Sequence, residues 1–315
     1  MIRPLICLSL FLAAPAFAAS AEAGLKDPYE VRLTPTNEVP LPGDDFYPEG
    51  IAVSAEGDLY VGSLSKNEIW RLDRQTKRIE RFSAPDANLL SIIGVHVSGD
   101  GRSLHACSSD PKGAYPDRRS ELVTFDLQSG VVTGRAPLPR GGLCNDIAEL
   151  ADGTILLTDS FGGRIFALRP GSRELSVWAM SPDFAGEGFN LNGITSVGDA
   201  VFAVKYNSGE LFKFTWDLNG VKHERLSLDR PLNGPDGLER LGPDTLLVVE
   251  GFTGSVSIID LSTGSLSVVA QDLDSPTTAA IFDGFAYVVQ GQLDHFFGMT
   301  QEPPGPFSLK RVTLP

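Results

Sequence analysis

Four residues with hard oxygen donors, Glu49, Asn145, Asn192 and Asp236, each stand just ahead of a short apolar run. Glu49 and Asp236 would bring two negative charges, and Asn145 and Asn192 two neutral carbonyl oxygens, so together they would balance a divalent cation. An all-oxygen set suits calcium, which takes roughly six to eight oxygens in flexible geometry and would keep positions for water or a substrate. Such an open site can polarise a lactone or ester carbonyl and stabilise the oxyanion formed as water adds, with a carboxylate taking the proton of that water. Asp146, beside Asn145, either orients the Asn145 amide or the waters of the metal, or makes a local hydrogen bond at the start of its own strand. Taken singly, Asn192-Gly193 and Asp236-Gly237 read as turn chemistry. Zinc is disfavoured, because His96, His105, His223 and His295 form no cluster at ligand spacing. There is no G-x-S-x-G elbow, H-E-x-x-H helix or phosphate-binding Gly-Lys loop either.

What makes the four a set is their place in a repeat. A unit of roughly 45 residues, built as an apolar strand, a Gly/Asp turn and a second strand, recurs six times. The units begin at Glu49, Ile93, Asn145, Asn192, Asp236 and Thr277. A third strand follows most of them, as in NEIWRLD and GELFKFT, and usually a fourth, as in RIERFSA. Four short strands per unit at this period predict an all-β fold, a six-bladed β-propeller with four antiparallel strands per blade. The residue ahead of each first strand then falls at one rim of the central channel, where the six converge. The last unit stops after its third strand, FSLKRVTL, and the segment YEVRLTP (Tyr29 to Pro35) precedes the first unit and belongs to none. It is expected to supply the missing strand and lock the ring.

The chain has 315 residues, 42% hydrophobic and 21% charged, which fits a globular core. Its net charge of -14 repels phosphate backbones and disfavours nucleic acid as a partner. Residues 1–18 carry Arg3, an apolar run from Leu5 to Leu12 and the small-residue site Ala16-Phe17-Ala18, the pattern of a cleaved export signal. The organisation expected is therefore a signal peptide over 1–18 and one propeller domain over 19–315, periplasmic or secreted. No stretch is long and apolar enough to span a bilayer. Export would remove Cys7 and leave Cys107 and Cys144 in an oxidising compartment, where they either bridge or stay as two buried thiols.

At Pro48 to Gly50, Asn145-Asp146, Asn192-Gly193 and Pro235 to Gly237 the sequence resembles the senescence-marker-protein/gluconolactonase/luciferin-regenerating family of six-bladed propellers. These motifs stand in family order, one per blade, and the resemblance covers nearly all of the mature chain. It implies a calcium-dependent or other divalent-metal-dependent lactonase or related ester hydrolase. Glu49, Asn145, Asn192 and Asp236 carry over as metal ligands and Asp236 as the acid/base. Leu143 stands where sugar lactonases of the family often carry Arg, and Thr277 near where the organophosphate-hydrolysing members carry His, so the substrate does not carry over.

By antiparallel geometry, loops entering first strands and leaving second strands share the rim of the metal, which places specificity there. The long candidates are 110–119 and 292–306. Tyr47, Arg140, Phe161, Tyr206 and His295 are the expected pocket residues, with Phe46, Phe189 and Phe252 in shorter loops nearby. Aromatic side chains suit a partly apolar ligand, although each can instead pack its own loop. The expected partner is a small lactone or ester, met by a monomer. The rival is a non-catalytic propeller that binds a ligand or protein, with calcium as a structural ion. Room above the metal separates the two.

Overall fold

The computed structural model describes Tyr29–Glu30 and residues 37–315. The proposed export signal lies outside the described residues. Six sheets form a six-bladed β-propeller, each blade four antiparallel strands stepping outward from the channel. The first strands are Pro48–Val53, Ser91–Val97, Cys144–Glu149, Leu191–Val197, Pro235–Arg240 and Pro276–Phe282. Each packs against the next, and the sixth returns to the first. Among the described residues the remaining secondary structure is one four-residue helix, Leu293–Phe296, and two single 3-10 turns.

Ring closure departs from expectation. The strand that completes the sixth blade is Glu38–Pro40, paired with Ser308–Thr313. Tyr29–Glu30 instead pairs with Arg78–Arg81 and extends the first blade at its outer edge. The closing segment is held by more than its ladder. Val39 and Leu41 are buried in the core shared with Ile51 and Leu59 of the first blade and Val289 and Leu309 of the sixth. The alternating apolar positions of each blade fill five further clusters of this kind.

One local feature recurs in all six blades. The pairing of first with second strand slips by one residue: Pro48 faces Ser63, whereas Ile51 faces Val61. The same slip falls between Ile92 and Val95, Cys144 and Ile147, Leu191 and Ile194, Pro235 and Leu238, and Pro276 and Ala279. Such a bulge bends the strand and re-aims a side chain. Every residue ahead of an apolar run in the repeat, Glu49 through Thr277, lies inside it.

Glycine follows four of these positions because the first strands crowd together there. A Cβ on Gly50 would fall on the carbonyl oxygen of Ile93, one on Gly94 on that of Asn145, and one on Gly193 on that of Asp236. Cys107 and Cys144 are joined as a disulfide with Cα atoms 5.1 Å apart, tying the second blade to the third beside Asn145. Closing a loop with a separation of 37 residues contributes ~4 kcal/mol in the chain-entropy account.

Candidate active site

The bulges bring Glu49, Asn145, Asn192 and Asp236 onto the floor of one cleft at the mouth of the channel. All four are buried, between 4% and 8% exposed. Ile93, the second-blade member of the ring, also lines the cleft, while Thr277 of the sixth is fully buried and donates its hydroxyl to the Glu49 carbonyl at 2.7 Å. Similar clamps stand at Asn192 and beside Asn145. The Thr158 hydroxyl donates to the Asn192 carbonyl at 2.8 Å, Ser160 to Leu191 at 2.6 Å and Ser109 to Cys144 at 2.8 Å. Each joins neighbouring blades, so the donors are fixed by blade packing as well as by their own strands.

The approaches to the ring are braced from below. Asp159, at the end of the third blade's second strand and fully buried, accepts the Leu143 N–H at 2.8 Å and the Arg164 side chain at 2.8 Å. Glu250 does the same in the fifth blade, accepting the Asn233 N–H at 2.8 Å and two bonds from Arg230 at 2.6 and 2.8 Å.

The electrostatics are those of a site short of positive charge. Burial, the charge of Asp146 and an offsetting hydrogen bond donated by Asn192 leave the Asp236 carboxyl at about 8. Burial, and then the charges of Asp236 and Asp146, hold Glu49 well above the carboxylate range. Among the described residues, no cationic side chain lines the cleft. Burying two carboxylates without a partner is costly, and a divalent cation removes that cost. The donor set therefore fits a hard cation: oxygen only, two charges, converging from four blades. The set has two carboxylates and two amides; no group of three or more His, Cys, Asp or Glu placed to hold a metal ion occurs among the described residues.

Asp146 points to the other side. It lines a second cavity, of about 200 Å³, with His96, Glu239 and Arg240 in the channel. Its carboxylate accepts the N–H groups of Ile147 at 2.8 Å and Ile194 at 2.9 Å, which bolts the third blade to the fourth. Burial still leaves it raised, at about 6. Glu239, a further carboxyl on this cavity, lies outside the positions that the repeat marks; burial and the charge of Asp146 push it up as well. Counting by twos along its strand from Gly237 would have found it, since alternate residues share a face.

The cleft measures about 440 Å³ out to its open mouth. Both long loops reach it: Pro111 comes from 110–119, and Leu293 and Phe297 from 292–306. Tyr206 and Phe189 line it too. Burial and the nearby Asp236 hold the Tyr206 hydroxyl above its usual range, so it keeps its proton. Other expected pocket residues sit elsewhere. Tyr47 packs on Phe307 and Phe296, with ring centroids 4.9 and 5.5 Å away. Arg140 is exposed and away from the cleft. His295 lies outside the lining, its ring 2.9 Å from the Glu302 carbonyl. Phe161 touches the cleft only through Phe189, at 5.4 Å. Leu64, Leu293 and Phe297 were not foreseen, because a loop's sequence does not reveal which side faces a neighbouring blade.

The family model for the strictosidine synthase-like N-terminal region matches residues 32–65, the closing strand and the start of the first blade. No curated protein sequence matches the chain. Among solved structures, a gluconolactonase from Xanthomonas campestris is 17% identical with a TM-score of 0.65, covering 88% of this chain and 89% of its own. A virginiamycin B lyase from Staphylococcus aureus is 15% identical with a TM-score of 0.60, covering 88% of this chain and 98% of its own. An aldose sugar dehydrogenase from Streptomyces coelicolor is 15% identical with a TM-score of 0.56, covering 87% and 97%. The likeness is one of fold. Propellers of this shape include a hydrolase, a lyase and a dehydrogenase, so the chemistry must be argued from the cleft.

Proposed function

We propose that this protein is a divalent-cation-dependent hydrolase of lactones or related esters. The observation that carries it is the floor of the cleft, where four oxygen donors from four blades meet and two buried carboxylates have no cationic side chain beside them. A gluconolactonase shares this fold, but so do a lyase and a dehydrogenase, and the choice among them rests on the donors of the cleft. Glu49, Asn145, Asn192 and Asp236 would hold the cation, calcium by the hardness of the set. When bound, the cation supplies Lewis-acid polarisation of the substrate carbonyl.

Asp236 accepts the proton of the attacking water and returns it to the leaving alkoxide, general-base and general-acid help worth roughly 10²- to 10⁴-fold. Glu49 provides the second charge that makes the loaded floor neutral. Asn145 and Asn192 would add their amide oxygens to the cation from backbone that the blade clamps hold, at Asn192 itself and at Cys144 beside Asn145. Tyr206, kept protonated beside Asp236, offers a hydroxyl to the substrate's oxygen atoms. The same reading makes the protein exported, periplasmic or secreted, in keeping with the leader pattern at 1–18 and with a disulfide that an oxidising compartment would preserve.

The test is a panel of lactones and esters assayed on chelator-treated protein, with and without calcium, magnesium and manganese, alongside calorimetric cation titration. Cation binding with cation-dependent turnover is expected. Binding without turnover of any substrate would leave a ligand-binding propeller with a structural ion, and no binding would remove the metal reading altogether.

A further inference from the structure

The walls of the cleft differ in kind from its floor. Above the four oxygen donors they consist of Leu64, Ile93, Pro111, Phe189, Leu293 and Phe297, with Tyr206 adding one hydroxyl. A substrate carboxylate or phosphate finds no cationic partner on these walls, and a polyol finds one donor where it would need several. Lys112, next in sequence to the lining Pro111, places its ammonium 3.8 Å from the centre of the Phe296 ring.

The aromatic residues pack across loops as well as within them. Phe252, Tyr206, Phe189, Phe297 and Phe296 form a continuous chain, with successive ring centroids 5.1, 6.0, 6.4 and 5.1 Å apart. These rings come from loops of the fourth, fifth and sixth blades. Phe252, at its outer end, is 69% exposed. The rings of Phe297, Phe189 and Tyr206 line the cleft and the chain ends in solvent at Phe252, so it offers length to a ligand whose head lies at the oxygen donors, and aromatic faces accept alkyl and aryl groups alike.

We propose that the cleft takes a neutral lactone or ester bearing an apolar alkyl or aryl chain, and that Phe189 and Phe297 set this preference. The inference rests on the hydrolase reading for the nature of the head group, whereas the chain preference belongs to the walls alone. Each methylene buried along the track is worth about 0.8 kcal/mol, or ~4-fold.

Two series test it. The first measures kcat/KM for γ-lactones with side chains from none to six carbons, with glucono-δ-lactone as the polyol comparison. The second measures calorimetric affinity for 2-alkylcyclopentanones of the same chain lengths, which cannot be hydrolysed. Affinity rising by about 3- to 4-fold per methylene over the first few carbons is expected. In Phe189→Ala and Phe297→Ala the long-to-short ratio, taken within each variant so that general losses cancel, should fall at least 10-fold. Flat or undetectable ketone binding, or preference for the polyol, overturns the inference; unchanged ratios in both variants overturn the assignment to these residues. If no lactone is hydrolysed under any cation, the hydrolase reading fails, and the ketone series still decides the chain preference.

Discussion

Glu49 and Asp236 share burial, charge and cleft, yet the proposed chemistry separates them. Glu49→Gln removes a balancing charge and nothing else, so its loss of activity should be at least partly recovered by raising calcium, because occupancy follows mass action. Asp236→Asn also weakens binding, but an amide cannot accept a proton, so turnover at saturating calcium should stay at least ~10²-fold down. Kinetics across a calcium series, with affinity from calorimetry, checks both; full recovery of Asp236→Asn would make it a ligand only. A different buried group governs acid sensitivity. His105, on the second blade and opposite His96, is pushed down to about 4 by burial and then by the His96 charge, against the opposing pull of Glu149 and Asp100. Its ring nitrogen meets the Thr124 hydroxyl at 3.1 Å. The folded protein therefore binds fewer protons than the unfolded chain between pH 6.5 and about 4, so stability falls as pH drops through that window. The full loss is about 3 kcal/mol. His105→Gln should lack this component. Urea unfolding of both proteins at pH 7 and pH 4.5 measures it as a difference, which separates it from Glu49 and Asp236, whose raised pKa values act in the opposite direction.

Bulged first strands are what turn a repeat into a site. Each bulge aims one side chain at the rim, and the residue after it must let the next strand come close. Gly193 shows the constraint most directly, since a Cβ there would run into the Asp236 carbonyl and the Leu238 N–H. Gly193→Ala should push the fourth and fifth blades apart at the floor, costing about 1–3 kcal/mol as overpacking does, and should weaken cation binding more than an alanine at Gly134, on an outer strand where a Cβ would meet Thr124 at 3.6 Å. Calorimetry on the two variants, alongside thermal unfolding, distinguishes them; equal cation affinity would detach the close approach from the site. The same regularity explains what could be read in the chain beforehand. A period near 45 residues and strict placement ahead of an apolar run located all six first strands, because bulge and strand are both local. Asp146 stood out for its neighbour Asn145, although its hydrogen bonds reach to Ile194 across a blade boundary. The walls were legible only in part: Tyr206, Phe189 and both long loops line the cleft as expected, but whether Tyr47 faces the cleft or Phe307 is decided by packing between distant segments.

Closure of the ring tests the whole molecule, and it is where the sequence pattern misled. YEVRLTP alternates apolar and polar residues like a strand, whereas the true closing strand, Glu38–Pro40, is three residues long and ends in proline, too short to show a period. Its strength comes from what flanks it. Leu41 donates its N–H to the Phe307 carbonyl at 2.8 Å, and Arg311 donates to the Asn37 carbonyl at 2.7 Å. Val39 and Leu41, 4% and 6% exposed, fill the core between the last blade and the first. Burying two such side chains stabilises by roughly 3–6 kcal/mol. Tyr29–Glu30 adds only a two-residue pairing at an outer edge. A chain starting at residue 37 should therefore unfold close to the full-length midpoint, while one starting at residue 42 should lose several kcal/mol. The shorter chain would also bare the edge of Ser308–Thr313, an unpaired template for another molecule, and should associate as concentration rises. Urea midpoints and sedimentation of the two truncations decide the matter: equal midpoints would show that the ring holds without its closing strand, and a large loss already at residue 37 would return closure to the segment before it.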